Sequence, residues 1–156
     1  MSDFSHIEVG NAEGLKFAIV VSQWNAQVTG ALLDGAIKGL QQYGALENDM
    51  DILQVPGSYE LISGADIALR NTAFDAVICL GCVIQGETRH FDFICDAVGN
   101  GIAQVSIKYN KPVIFGVLTT DNLEQALDRA GGKHGNKGEE AAITAIQMAL
   151  LSKQYA

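Results

Sequence analysis

Leu15 to Ser22 (LKFAIVVS) is an unalternated apolar run that ends in polar residues. A run of this kind reads as a strand buried on both faces, and such strands belong to parallel sheets covered by helices on either side. The period then changes. Val28, Ala31, Leu32, Ala36, Leu40 and Tyr43 recur at helical spacing, with Asn25 expected to cap the helix and Gly44 to end it. The alternation of strand and helix repeats three more times. Met50 to Val55 leads into a helix from about Tyr59 to Arg70, and Ala76 to Ile84 leads into one from His90 to about Tyr109. Val113 to Leu118 leads into a helix from Asn122 to Ala130, framed by Asp121 and Glu124 as a capping box. Gly131 to Gly138 reads as a loop, and Glu139 to Lys153 as a final amphipathic helix. Parallel strands need crossover connections, so the pattern predicts a single three-layer α/β domain over 1–156, with a four-stranded parallel sheet and right-handed crossovers. The N-terminal arm, 1–14, carries His6 to Val9, too short for a hairpin of its own and expected to pair with an edge strand of a neighbouring subunit.

The chain has 156 residues and a net charge of −8, which opposes nonspecific attraction to nucleic acid and to anionic membranes. Neither is expected as a partner. Apolar runs such as Phe17 to Val21 are too short to span a bilayer, and the first residues include acids where a secretory leader has a basic region, so a cytoplasmic protein is expected. Three cysteines do not make a disulfide framework. Gly30, Gly35, Gly39, Gly64, Gly99 and Gly101 lie in helical segments, where each costs ~1 kcal/mol relative to alanine in an exposed helix. They point to close packing against the sheet, or against neighbouring subunits.

Open parallel sheets bind ligands beyond the carboxyl ends of their strands, so the loops there are where chemistry is expected. Trp24, the only tryptophan, follows the first strand and either stacks on a flat ligand or covers the helix layer. Pro56-Gly57 breaks the second strand, after which Ser58, Tyr59 and Glu60 open a helix whose first N–H groups face the rim; Glu60 equally suits a helix-dipole role. After the third strand, Gly86 lets the backbone approach a ligand, and Thr88 and the amides of Glu87 and Thr88 suit either an anion or a plain helix cap. His90 follows directly, and an imidazole passes protons at neutral pH. Arg129, Lys133 and Lys137 cluster near a helix end, either as a cationic pocket or as charges complementing the helix dipole.

Several other chemistries are excluded. Gly131 to Gly138 lies between helices and offers neither a dinucleotide fingerprint nor a phosphate loop. Cys79 and Cys82 form C-x-x-C inside a strand, which disfavours redox catalysis. His6, His90 and His134 have no metal-ligand spacing, and there is no G-x-S-x-G elbow. A phosphoacceptor receiver would need acids after the first strand, where Ser22-Gln23-Trp24 stands.

Four segments taken together carry a resemblance. Val55-Pro56-Gly57-Ser58-Tyr59-Glu60, Gly81 to Phe91 (GCVIQGETRHF), Phe115 to Thr120 (FGVLTT) and Glu124 to Gly131 (EQALDRAG), in this order, resemble the lumazine synthases (6,7-dimethyl-8-ribityllumazine synthases), and the likeness extends along nearly the whole chain. It implies a flavodoxin-like sandwich and a cofactor-free transferase reaction late in riboflavin biosynthesis. There, 5-amino-6-(D-ribitylamino)uracil condenses with 3,4-dihydroxy-2-butanone 4-phosphate to 6,7-dimethyl-8-ribityllumazine, phosphate and water. By position, Trp24 would stack on the pyrimidine, Ser58, Tyr59, Glu60, Cys82, Val83 and Ile84 would hold ring and ribityl chain, and Phe115 would line the pocket. Phosphate would sit on Glu87, Thr88 and Arg129, with Lys137 as an auxiliary, and His90 would move protons. Family members form homopentamers with active sites between adjacent subunits. Some pentamers pack into sixty-subunit shells, for which riboflavin synthase is a cargo, and the short Gly131 to Gly138 connection points towards the shell. Gln85 stands where Arg or Lys is common, which bears on substrate affinity. Trp24 stands where Phe is frequent, and its larger face implies weak riboflavin binding, which a fluorescence titration of the tryptophan tests.

Overall fold

All six residues of β1 (Phe17–Ser22) are buried, because the strand is interior to the sheet and covered by helices on both faces. The computed structural model describes residues 7–156. After β1 come α1 (Ala26–Gln42), β2 (Met50–Val55), α2 (Leu61–Leu69), β3 (Ala76–Ile84), α3 (His90–Tyr109) and β4 (Val113–Thr120). The chain closes with α4 (Leu123–Asp128), the short strands β5 (Ala130–Gly132) and β6 (Gly135–Asn136), and α5 (Lys137–Gln154). Four strands form one parallel sheet in the order β2-β1-β3-β4, with Phe17 opposite both Met50 and Ala76 and Cys79 opposite Phe115. This is the start of the flavodoxin-like strand order, as expected from the alternation of periods.

Alternate residues of each strand feed two separate cores. Phe17, Ile19, Ile78 and Leu80 pack with Leu32 and Leu40 of α1 and Ile146 of α5. On the other face, Ala18, Val20 and Val77 meet Leu61 of α2 and Val98 and Ile102 of α3. The glycines divide by what they touch. Gly35 and Gly39 of α1 lie against Asn136, which precedes α5, and Ala142 of α5, Gly64 lies against Val20 of the sheet, and Gly101 lies against Ile62 of α2. Gly30 and Gly99 face open space among the described residues, whose packing does not explain them.

Several local expectations are corrected. Asn25 precedes α1 in a left-handed conformation and its side chain makes no cap bond. The cap of α4 falls one residue later than expected: Asn122 Oδ1 accepts from the Gln125 N–H at 2.9 Å, while Gln125 Oε1 accepts from the Asp121 N–H at 2.8 Å. An amide pair therefore does what Asp121 and Glu124 were expected to do. Gly131 to Gly138 is not simply a loop, because β5 and β6 pair antiparallel and α5 begins at Lys137. A 3₁₀ turn over Ser58–Glu60 comes before α2.

Of the expected His6 to Val9 strand, His6 lies outside the described residues, and Ile7 to Val9 is not part of a strand within the chain. Val9, Ala12 and Leu15 join the α1/α5 core, and the Ala12 N–H donates to Tyr43 O at 2.8 Å. No helix of the described residues is long and apolar enough to cross a membrane.

Candidate functional site

Strand order decides where a crevice opens. From β1 the chain crosses to β2 on one side, while β3 lies on the other, so the loops leaving β1 and β3 diverge at their carboxyl ends. A pocket of about 460 Å³ lies there. Trp24 and Asn25 come from the β1 loop, Ser58, Tyr59 and Glu60 from the loop after β2, Cys82, Val83 and Ile84 from the end of β3, and His90 and Ile94 from α3. Eight of these ten residues are ones the sequence singled out for this site.

Each wall has a local cause. The Gln23 N–H donates to Val55 O at 2.8 Å and the Trp24 N–H to Pro56 O at 3.0 Å, so the β1 loop is fastened to the break after β2. The Trp24 indole lies against Gly57, where a Cβ would collide with the ring, and it is 66% exposed. It forms part of the pocket wall and belongs to neither buried core. Glu60 turns one carboxylate oxygen back onto the Gly57 N–H at 3.1 Å, fixing the turn. This is a more specific task than a diffuse helix-dipole interaction. Ser58 is buried, and its Oγ has no hydrogen-bond partner among the described residues. Room for that hydroxyl exists because residue 81 is glycine: a Cβ there would lie 2.6 Å from Ser58 Oγ. A buried hydroxyl left unpaired costs free energy, and of the three such atoms among the described residues, the others being Ser22 Oγ and Glu140 Oε2, it is the one in the wall of this pocket.

His90 opens α3 at the exposed rim, and its N–H donates to Thr88 Oγ1 at 3.3 Å. The amides of Gly86, Glu87, Thr88 and Arg89 have no acceptor among the described residues. Among the described residues nothing but its chain neighbours lies within 4 Å of a Cβ at Gly86, so their packing does not account for that glycine. Burial pushes the Cys79 thiol up to about 12 and the Cys82 thiol up to about 11. Burial thus disfavours the reactive thiolate form of both at this end of β3.

Three expected site residues lie elsewhere in the chain. Phe115, on the free edge of β4, lines a groove with Lys137 and Glu140. Arg129 lines a second groove with Thr119, Thr120, Gln125 and again Lys137. The Arg129 guanidinium donates to Gln125 O at 2.9 Å, and Lys137 Nζ is 3.9 Å from Glu140 Oε2. Lys133 pairs instead with Asp128, at 3.5 Å. Among the described residues the lining of the pocket beside His90 holds no lysine or arginine; Arg89 directly precedes His90 at the start of α3, while Arg129 and Lys137 line the grooves beside β4.

Residues 14–153 match the family model of 6,7-dimethyl-8-ribityllumazine synthase. The chain belongs to the lumazine synthase family. Its similarity to curated relatives is high over most of each chain. It is 58% identical to the 6,7-dimethyl-8-ribityllumazine synthase of Cytophaga hutchinsonii over 141 residues, which is 90% of this chain and 89% of the relative. To the protein of the same name from Bacteroides fragilis it is 55% identical, covering 86% of this chain and 94% of the relative. The Phocaeicola vulgatus protein of that name is 48% identical over 95% of this chain and 88% of its own length.

Two pocket residues of this lumazine synthase family member were not singled out by sequence reasoning. Ile94 follows His90 by four positions, and helical spacing alone would have placed it on the same face. Asn25 was read as a helix cap, and no sequence signal marks a side chain that turns away from the helix it precedes.

Proposed function

We propose that this lumazine synthase family member condenses 5-amino-6-(D-ribitylamino)uracil with 3,4-dihydroxy-2-butanone 4-phosphate in the crevice between the ends of β1 and β3. The observation that carries this reading is the unpaired Ser58 hydroxyl, buried in the wall of a pocket whose other sides are an exposed indole, β3 backbone and His90. The pyrimidine stacks on Trp24. Backbone of Cys82, Val83 and Ile84 and the turn Ser58-Tyr59-Glu60 hold the ring and ribityl chain, with Ser58 Oγ accepting from or donating to a substrate hydroxyl. Phosphate sits on the unpaired amides of Glu87 and Thr88, next to Gly86, where the absence of a side chain allows close approach.

Chemistry at that site needs protons to move in both directions. The 5-amino group of one substrate attacks the carbonyl of the other, and a first water leaves with a proton donated to it. Elimination of phosphate requires a proton to be removed from carbon and yields, by tautomerisation, a second carbonyl. The ribitylamino nitrogen attacks that carbonyl and closes the ring with loss of a second water. A histidine at the rim serves both directions, because imidazole changes charge near neutral pH. His90 takes this role.

A phosphorylated substrate on a protein of net charge −8 requires a local cation. Within one chain Arg129 and Lys137 stand on the β4 edge, apart from the His90 pocket. In this reading the site is shared: Phe115, Arg129 and, as an auxiliary, Lys137 of one copy complete the pocket of the next, a placement supported by their lying in grooves away from the His90 pocket of their own chain. Such sharing fits a homopentamer, and the sheet edge at β2, where Ile52 is 47% exposed, is open to a strand from a neighbouring copy. Assembly of pentamers into a shell, a riboflavin synthase cargo and a cytoplasmic location are extensions of the same reading.

Mixing the protein with both substrates and following lumazine fluorescence tests the reaction. Acceleration over the spontaneous condensation is expected; a rate equal to the spontaneous one overturns it. Trp24, exposed in the pocket, is expected to be quenched weakly by riboflavin.

A further inference from the structure

Among the described residues, Asn25 and Asn110 are the non-glycine positions with positive φ. Asn110 ends α3, where a left-handed residue closes a helix in the usual way. Asn25 stands at the opposite kind of position, before the first residue of α1, with φ 60° and ψ 48°. An asparagine there is ordinarily extended and turns its side-chain oxygen onto the helix N–H groups. Here the side chain makes no cap bond, and Nδ2 instead donates to Cys82 O at 3.1 Å, 57 positions along the chain. Because a carbonyl oxygen only accepts, the amide nitrogen must face Cys82. Helix α1 thus forgoes a cap, and the backbone adopts a disfavoured region, for one bond between the ends of β1 and β3.

Those two ends are the walls between which the crevice opens. Trp24, the preceding residue, is held from the other side by its N–H to Pro56 O and by the contact of its ring with Gly57. We propose that Asn25 is a positioning residue for the flat ring: its left-handed backbone aims the indole, and its amide clamps the Cys82 carbonyl at a set distance from that indole. The clamp governs affinity for the planar heterocycle and leaves proton transfer at His90 untouched. The inference rests on reading this pocket as the aminouracil site.

Two full-length variants separate the clamp from the fold. Asn25→Gly keeps the positive φ without strain and removes the bond, and Asn25→Asp keeps the size but replaces the donor with a carboxylate that faces the Cys82 carbonyl. In both, the fluorescence anisotropy of Trp24, the sole tryptophan, falls as the indole gains freedom. KM for the aminouracil rises about fivefold to tenfold, the equivalent of one lost hydrogen bond, while kcat and KM for the butanone phosphate stay within about twofold of wild type. Wild-type anisotropy together with wild-type aminouracil KM in Asn25→Gly overturns the proposal, as does a fall in kcat with both KM values unchanged. If one variant does not fold, the other decides. Failure of the wild-type protein to accelerate the condensation would instead remove the substrate assignment, and anisotropy alone would then decide for or against the clamp.

Discussion

Ser58 and His90 make opposite demands on the chain. Ser58 is buried with a hydroxyl that no described group satisfies, whereas His90 is exposed and begins a helix. Removing the Ser58 hydroxyl takes away an unpaired polar group, so Ser58→Ala is expected to match or exceed wild type in thermal stability while raising KM for the aminouracil. A melting curve and steady-state kinetics on the same preparation check both halves; a loss of stability with unchanged KM contradicts the substrate role. His90→Ala is expected to lower kcat by on the order of 10²-fold, the scale of a lost general acid or base, with little change in either KM. Full turnover in that variant removes proton transfer from His90.

At the level of elements, two side chains hold helices to their neighbours. Asn136 caps α5 by accepting from the Gly138 N–H at 2.8 Å, and its Nδ2 donates to Ala31 O of α1 at 3.0 Å. The contact is close enough that a Cβ at Gly138 would run into the Leu32 carbonyl. Asn136→Ala is expected to cost about 1–2 kcal/mol in a denaturant titration, the scale of a lost cap. Across the other helix layer, Asp66 of α2 accepts from Lys108 Nζ at 2.7 Å, from Tyr109 Oη at 2.9 Å and from Arg70 Nη2 at 2.9 Å. These donors, Lys108 foremost, hold its carboxyl well below its ordinary value of 3.8. A carboxylate depressed on folding contributes stability that is present above the unfolded value and lost as pH falls towards the folded one. Asp66→Asn is therefore expected to lower Tm at neutral pH, with a difference from wild type that narrows as the pH drops below about 4; a difference independent of pH contradicts the ionic account.

For the whole molecule, the separation of His90 from Arg129 within one chain has a direct consequence. If each site takes His90 from one copy and Arg129 from the next, two variants that are each impaired can restore one another. His90→Ala and Arg129→Ala, unfolded and refolded together in equal amounts, are expected to regain up to about a quarter of wild-type activity, because random mixing in a ring makes one junction in four intact. Each variant refolded alone stays impaired. No gain on mixing would mean that both residues act within a single chain.

Much of this was legible in the residues. Buried parallel strands read as unbroken apolar runs and amphipathic helices as stripes, so the four strands of the parallel sheet and the five helices follow in order from local pattern, and the rim loops holding Trp24, Ser58 and His90 follow from the rule that ligands bind at strand carboxyl ends. Caps were less legible, since Asn122 and Asp121 are adjacent candidates and only backbone geometry chooses between them. The pairing of β5 with β6 was hidden in a glycine-rich stretch with no side-chain period. What tertiary structure alone decided is who meets whom. It put β1 beside β3, turned the Asn25 amide onto Cys82, left the Ser58 hydroxyl without a partner, and parted Arg129 from the pocket of its own chain. The physical reason is range: periodicity and turn chemistry act over a few residues, whereas strand neighbours and cross-strand hydrogen bonds join positions dozens of residues apart, and only the packed fold sets those distances.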